Sequence, residues 1–169
     1  MPKAVYSLTN VKMGASGANG VMGATLADIT QISAGSLSLT FPEPNKTDII
    51  PEEGTTAFVS LKEDQSKTIE LESLDMDLPA LQKAFGGAIA TGTFTPGINF
   101  SLPDQSFQFT TRPLGGTSQT WKFPRVQVYC SISGSFSKTD VVKLKYSITV
   151  LQPYDAVGAA LAEFTVLQA

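Results

Sequence analysis

From Arg125 to Leu151 the chain alternates apolar and polar residues almost without a break. Val126, Val128, Cys130, Ile132, Gly134 and Phe136 interleave with Arg125, Gln127, Tyr129, Ser131, Ser133 and Ser135. After Lys138, Thr139 and Asp140 the pattern resumes, with Val142, Leu144, Tyr146, Ile148 and Val150 against Lys143, Lys145, Ser147 and Thr149. A period of two is that of a half-buried strand, so the stretch predicts a long antiparallel hairpin. Pairing Phe136 with Val142 puts every even-numbered residue on one face, whereas a slip of one residue would set Val against Ser throughout. The expected loop is therefore short and centred on Lys138 to Asp140. Such a hairpin cannot stand alone, because ordering its backbone opposes the burial of its apolar side chains. A second apolar layer must cover it.

The rest of the chain supplies candidates for that layer. Residues 36–41 alternate cleanly and end at Pro42, and the breaker-rich stretch 42–54 reads as a long loop. Loops of that length in compact domains are usually functional or disordered, and Ile49 and Ile50 among its charges point to a docking arm rather than a solvated tail. Strands are predicted over 56–61 and 68–73, joined by a polar turn at 62–66. Asp77 as N-cap, Pro79 in the first turn, Leu78, Leu81 and Phe85 at helical spacing and Gly86-Gly87 as the stop predict one short helix. A helix under three turns is marginal alone and must dock on a sheet. Strands follow over 88–95 and 98–102 around Pro96-Gly97, over 106–111 and 117–123 around Pro113 to Gly116, and over 163–167. Roughly nine strands and one helix predict a mainly β fold, a β-sandwich or partly closed antiparallel barrel.

Residues 1–31 carry Gly14, Gly17, Gly20 and Gly23. No Gly-Lys-Ser/Thr and no Gly-x-Gly pair accompanies them, so a phosphate-cradling loop is not indicated. The segment reads as flexible or tightly turning, ordered against a neighbouring subunit.

A length of 169 residues suits a single domain spanning the whole chain. Charged residues are 16% of the chain, against about 25% in a typical soluble protein. Ser, Thr, Gln and Gly take their place, as on a polar surface that meets other subunits or on a low-charge secreted β-protein. The net charge of -3 provides no basic field for phosphate backbones. No run of 18 apolar residues occurs and Met1-Pro2-Lys3 opens no signal peptide, so cytoplasmic synthesis without membrane anchoring is expected.

Chemistry-bearing residues are sparse. There is no histidine, and the one cysteine, Cys130, falls on the apolar face of the hairpin. Ser-His-Asp and Cys-His triads and most zinc sites are excluded. Glu70 with Glu72, and Asp75 with Asp77, could form a glycosidase-like pair or an oxygen-ligand cation site. They read more simply as a solvated acidic face and a helix cap. Phe94, Phe100, Phe107, Phe109, Trp121 and Phe123 lie at strand spacing without interleaved Lys or Arg, as core residues do. The expectation is a protein that is not an enzyme and uses no cofactor or metal.

Three stretches carry a resemblance: Leu39-Thr40-Phe41-Pro42-Glu43-Pro44-Asn45-Lys46-Thr47-Asp48, the helix Asp77 to Gly87, and Ser147-Ile148-Thr149-Val150-Leu151-Gln152-Pro153-Tyr154-Asp155. In order and texture the chain resembles the tail tube proteins of long-tailed bacteriophages and the related type VI secretion tube subunits. The resemblance implies a virion structural subunit, made in the host cytoplasm, that forms rings, expected to be hexameric, stacked into a tube. Other tail proteins would be partners, and DNA would pass through without specific binding. It also implies that the loop 42–54 reaches the adjoining ring. On this reading Pro42, Pro44, Ile49, Ile50, Leu81 and Phe85 are candidate inter-subunit residues. Glu70 and Glu72 are candidates for the lumen wall, where Lys143 and Lys145 would not fit. The alternatives are a capsid-decorating or tail-completion protein and a ligand- or carbohydrate-binding β-barrel module.

Overall fold

The computed structural model describes residues 5–50, 52, 59–97, 102–113, 116–135, 137 and 140–168. They form a mainly β fold of antiparallel sheets that do not close into a barrel, with a single short α-helix and one 3-10 turn (Ala18–Gly20) among the described residues. The strands are β1 (Val5–Ala15), β2 (Ala27–Asp28), β3 (Ser38–Thr40), β4 (Asn45–Ile49), β5 (Val59–Glu63) and β6 (Thr68–Ser73). After helix α1 (Leu78–Phe85) come β7 (Ala88–Ala90), β8 (Thr93–Thr95), β9 (Gln105–Pro113), β10 (Gln119–Ser133), β11 (Lys143–Val150) and β12 (Thr165–Gln168). The main sheet runs β2-β1-β9-β10-β11-β6-β3, with β12 paired to β10.

β10 organises this sheet. It is 15 residues long and merges the expected strand 117–123 with the first arm of the hairpin. Its start pairs with β9 and β12, and its end pairs with β11. Between Phe123 and Val126, across Pro124, the register with β9 slips. A slip of this kind bends a strand, and here it turns β10 from one half of the sheet into the other. From Val126 to Val128 in β10 and along β11 the even-numbered residues are buried as expected, whereas Cys130 is half-buried, Ile132 is 54% exposed, and before the slip at Pro124 it is odd-numbered Phe123 that faces the core. Val126, Val128, Leu144, Tyr146 and Ile148 are buried beside Ile69 and Leu71 of β6 and Phe107, Phe109 and Phe123 of the other half. Cys130 is half-buried against this core.

The hairpin register differs from the expected one by two residues. Ser133 stands opposite Lys143 and Val126 opposite Val150, which would bring Val142 level with Gly134; Phe136, its expected partner, lies outside the described residues. Parity is kept and the strand ends earlier. Gly134 adopts a positive φ of 109°, where a Cβ would lie 2.7 Å from the carbonyl oxygen of Val141. The turn is gathered by Asp140, whose carboxylate accepts from the Ser135 N–H and hydroxyl, both at 3.1 Å, and from the Val141 N–H at 2.9 Å.

Three further expectations are corrected. Residues 5–15 form β1, a full strand between β2 and β9; an alternation of the type Val11, Met13 feeds the core despite the glycines that follow. The segment 42–54 is not a loop throughout: β4 pairs with β5, so the strand expected at 56–61 neighbours β4 and not β6. Its residues 56–58 lie outside the described residues. The segment 88–95 is a tight hairpin, β7 to β8, turning at Thr91-Gly92, both of positive φ. The strand expected at 98–102 falls almost wholly outside the described residues. The helix forms as expected, with Asp77 Oδ1 accepting from the Ala80 N–H at 2.7 Å and Gly86 ending it.

Candidate functional site

Three surface features stand out, and the first is an arm. β4 and β5 form a two-stranded ribbon separate from the main sheet, and every residue of both strands is exposed. The register places Asn45 opposite Glu63, Thr47 opposite Leu61 and Ile49 opposite Val59. Cross-strand partners share a face, so Thr47, Ile49, Val59 and Leu61 form an apolar patch on one face, which Asn45 and Glu63 continue towards the root of the arm. Lys46, Asp48, Ser60 and Lys62 occupy the other. Lys46 lies 2.9 Å from Asp48, and this ammonium, followed by the Ser60 hydroxyl, holds the Asp48 carboxyl below its usual value. Ile49 is 50% exposed and Leu61 54%. A lone two-stranded ribbon is marginally stable at best in water, and within the described chain nothing covers this apolar face. The arm leaves the body at Phe41, whose ring packs on Phe164 at 5.4 Å and on Trp121 at 6.4 Å. Pro42 and Pro44 stiffen its root.

The second feature is a slot at the unclosed seam of the sheet. β1 has a partner on its outer side only around Val11 to Met13. Nearer its start it bulges twice, between Tyr6 and Leu8 and between Leu8 and Asn10, and Ser7 has a φ of 62°. Bulges of this kind break regular edge pairing. Opposite stands β3, paired only with β6. A strap joins the two margins at one end: the Ile29 N–H donates to Val11 O at 2.9 Å and the Ser33 N–H to Glu72 O at 2.8 Å, while Gln31 O accepts from the Leu74 N–H. The remaining gap has a volume of about 880 Å³ and is lined by Leu8, Ile32, Leu37, Leu39, Phe109 and Trp121, among others. Trp121 stacks on Phe109, centroids 5.8 Å apart. The charged residue in the lining is Asp28, which pairs with Lys12 at 3.7 Å.

The third is the polar face of β6, β11 and β10. Glu70 and Glu72 lie on it beside Lys143 and Lys145, and they are paired: Lys143 with Glu72 at 3.0 Å and Lys145 with Glu70 at 3.3 Å. Residues that looked incompatible in sequence thus neutralise one another across the strands. Ser147, Thr149, Gln127, Tyr129, Ser131 and Ser133 continue the face.

The other candidates fall into structural places. Leu81 and Phe85 are half-buried against this chain's own core, with Ala80 and Ala84 buried behind them. Pro42 is half-buried, and Pro44, Ile49 and Ile50 are exposed on the arm. Asp75 accepts from the Thr30 hydroxyl, and its Oδ1 accepts from the Asp77 N–H at 3.2 Å. No group of three or more metal-ligating side chains occurs among the described residues. Burial pushes the Cys130 thiol up to about 12 and raises the Tyr146 hydroxyl as well. No helix of the described residues is long and apolar enough to cross a membrane.

Val59 and Leu61 complete the arm's apolar face, and the slot brings Leu8, Leu37 and Trp121 together. Neither was foreseen. Alternation over 59–63 was visible, but the partner strand was not, and the slot unites residues more than 100 positions apart. No family model and no curated protein matches this chain.

Proposed function

We propose that this chain is a structural subunit of a phage tail tube, assembling into stacked, hexameric rings that form a conduit for DNA. The observation that carries the reading is the β4–β5 arm, an amphipathic ribbon standing off the body with its apolar face uncovered. A solitary chain leaves that face in water, whereas an assembly buries it. The open margins of the sheet support the same reading, since an unclosed antiparallel sheet offers edges to copies of itself.

The polar face suits a wall along which DNA must slide. Lysines facing phosphate would hold it by counterion release, but Lys143 and Lys145 are each committed to a glutamate of β6. The resulting surface is hydroxyl-rich and locally neutral, and Glu70 and Glu72 remain the lumen candidates together with their lysine partners. Other tail proteins would cap such a tube within the virion.

Negative-stain images of the purified protein, concentrated in steps, are expected to show rings and tubes with a central channel. A monodisperse monomer at every concentration would overturn the proposal.

A further inference from the structure

We infer that the slot at the seam is a binding site for a neutral single-chain amphiphile, a long aliphatic body ending in an uncharged hydroxyl. The site belongs to one chain and one small molecule, and it does not depend on copies meeting.

Size and lining agree with such a ligand. At about 880 Å³ the slot falls within the roughly 300–1,000 Å³ of small-molecule clefts, which are mostly apolar with a few polar groups. Its floor is apolar: Val11, Ile29 and Phe109 are buried, with Leu8, Ile32 and Leu37 half-buried around them. Trp121 lies nearly flat against Phe109, the two planes 9° apart. The buried hydroxyl in the lining, that of Thr111, is already engaged: it donates to Gln119 O at 3.3 Å and accepts from the Gln119 N–H at 3.2 Å. Thr9, Asn10 and Gln31 are exposed at the mouth. A slot that is apolar at its floor and polar at its rim takes a molecule with the same gradient.

Charge selects the head group. Among the described lining residues the one ionisable side chain is Asp28, which Lys12 neutralises at 3.7 Å. No cation lines the slot to hold a carboxylate or phosphate, and a cationic head would find Asp28 already paired. The amides of Asn10 and Gln31 both donate and accept without charge, as a hydroxyl requires.

The margins select against a peptide. A strand added to a sheet is held by a run of main-chain hydrogen bonds. Here β1 bulges between Tyr6 and Leu8 and again between Leu8 and Asn10, Ser7 has a φ of 62°, and the Val11 carbonyl already accepts from the Ile29 N–H. On the other side β3 offers three residues. An incoming strand would leave main-chain groups unpaired in an apolar slot, which is costly. An aliphatic chain brings no such groups.

The test titrates the full-length wild-type chain, held dilute, with octanol, nonanol and decanol. The sole tryptophan, Trp121, reports the slot, and calorimetry gives the affinity. A saturable blue shift is expected, with affinity rising about three- to fourfold per added methylene, as for a chain leaving water. Decanoate and decyltrimethylammonium, below their micellar concentrations, should bind at least about tenfold more weakly, since each brings an unpaired charge to the slot. Thr9→Lys, at an exposed position of the rim, should raise decanoate affinity by up to about fivefold and leave decanol unmoved, a selective gain that a disturbed fold would not produce. Leu39→Asp, on the wall, should weaken decanol at least about tenfold with an unchanged circular dichroism spectrum.

Absence of saturable decanol binding by calorimetry overturns the inference. So does an affinity indifferent to chain length, or one shared equally by the charged probes, because the slot would then be an unselective apolar surface. A blue shift on concentrating the protein alone, which decanol does not reverse, overturns it as well, since protein then fills the slot. Electron microscopy separates this inference from the tube reading. Tubes formed by protein that binds no decanol remove the site and leave the tube standing; decanol binding by a chain that forms no tubes does the reverse.

Discussion

At the scale of single residues, electrostatics and caps act locally and can be read one at a time. Cys130 illustrates how burial disables chemistry: with its thiol pushed up to about 12, almost no thiolate exists near neutral pH, and the thiolate is the reactive form. Labelling with a thiol reagent at pH 8 is expected to be negligible in the folded protein and rapid in denaturant; fast labelling of native protein would contradict the burial. Asp140 works in the other direction. The Ser135 N–H, then the Val141 N–H and the Ser135 hydroxyl, hold its carboxyl below the ordinary 3.8. A lowered folded-state value means that the stabilisation is present above 3.8 and disappears as pH falls through the lowered value. Asp140→Asn should therefore flatten the acid limb of a stability-against-pH curve, and an unchanged limb would show that the turn does not depend on this carboxylate. Asp77→Ala removes the acceptor of the Ala80 N–H and should cost about 1 kcal/mol in denaturant unfolding.

At the scale of elements, alternation was legible and pairing was not. The spacing of Val126, Val128 and Cys130 against Leu144, Tyr146 and Ile148 settles which residues face inward. It settles the register only modulo two, because moving one strand by two residues returns every side chain to its own face. What decides between the two registers is local: the positive φ of Gly134 and the hydrogen bonds gathered by Asp140. The helix was legible because its cap, its proline and its glycine stop all lie within one short stretch. The arm was half legible, since Ile49 and Ile50 marked it, but β4 escaped notice because Asn45, Lys46, Thr47 and Asp48 carry no apolar alternation of their own. Only the partner strand, with Val59 and Leu61, completes the pattern. Two expectations follow at this scale. Replacing residues 45–63 by a short Gly-Ser linker should leave the circular dichroism and unfolding midpoint of the body nearly unchanged while abolishing stacking; tubes that still form would mean that the arm has another job. Phe123→Ala, at the bend of β10 and fully buried, should cost about 3–5 kcal/mol. A loss near zero would mean that the two halves of the sheet do not lean on this ring.

At the scale of the whole molecule, a net charge of -3 says less than where the charges sit. The face carrying Glu70, Glu72, Lys143 and Lys145 is neutral by pairing, and the proposed ring would repeat it once per subunit. Glu70→Gln with Glu72→Gln would free two lysines per copy. The variant should then retain duplex DNA at low salt and release it as salt rises, while the wild type shows no retention in the same gel-shift assay. Equal retention by both would remove this face from consideration as a lumen wall. The slot could not have been read from sequence, because it exists only where β1, residues 28–39 and the β9–β10 pair converge.

The strap between the two margins has one more consequence. Fastened by Ile29 to β1 and by Ser33 to β6, it works as a gauge: its contour length fixes how far the margins stand apart at that end, whatever sits between them. Inserting a single glycine into the strap would let the seam gape, and shortening it would draw the margins together. A few residues of irregular backbone thus set the calibre of the opening that the surrounding strands only border.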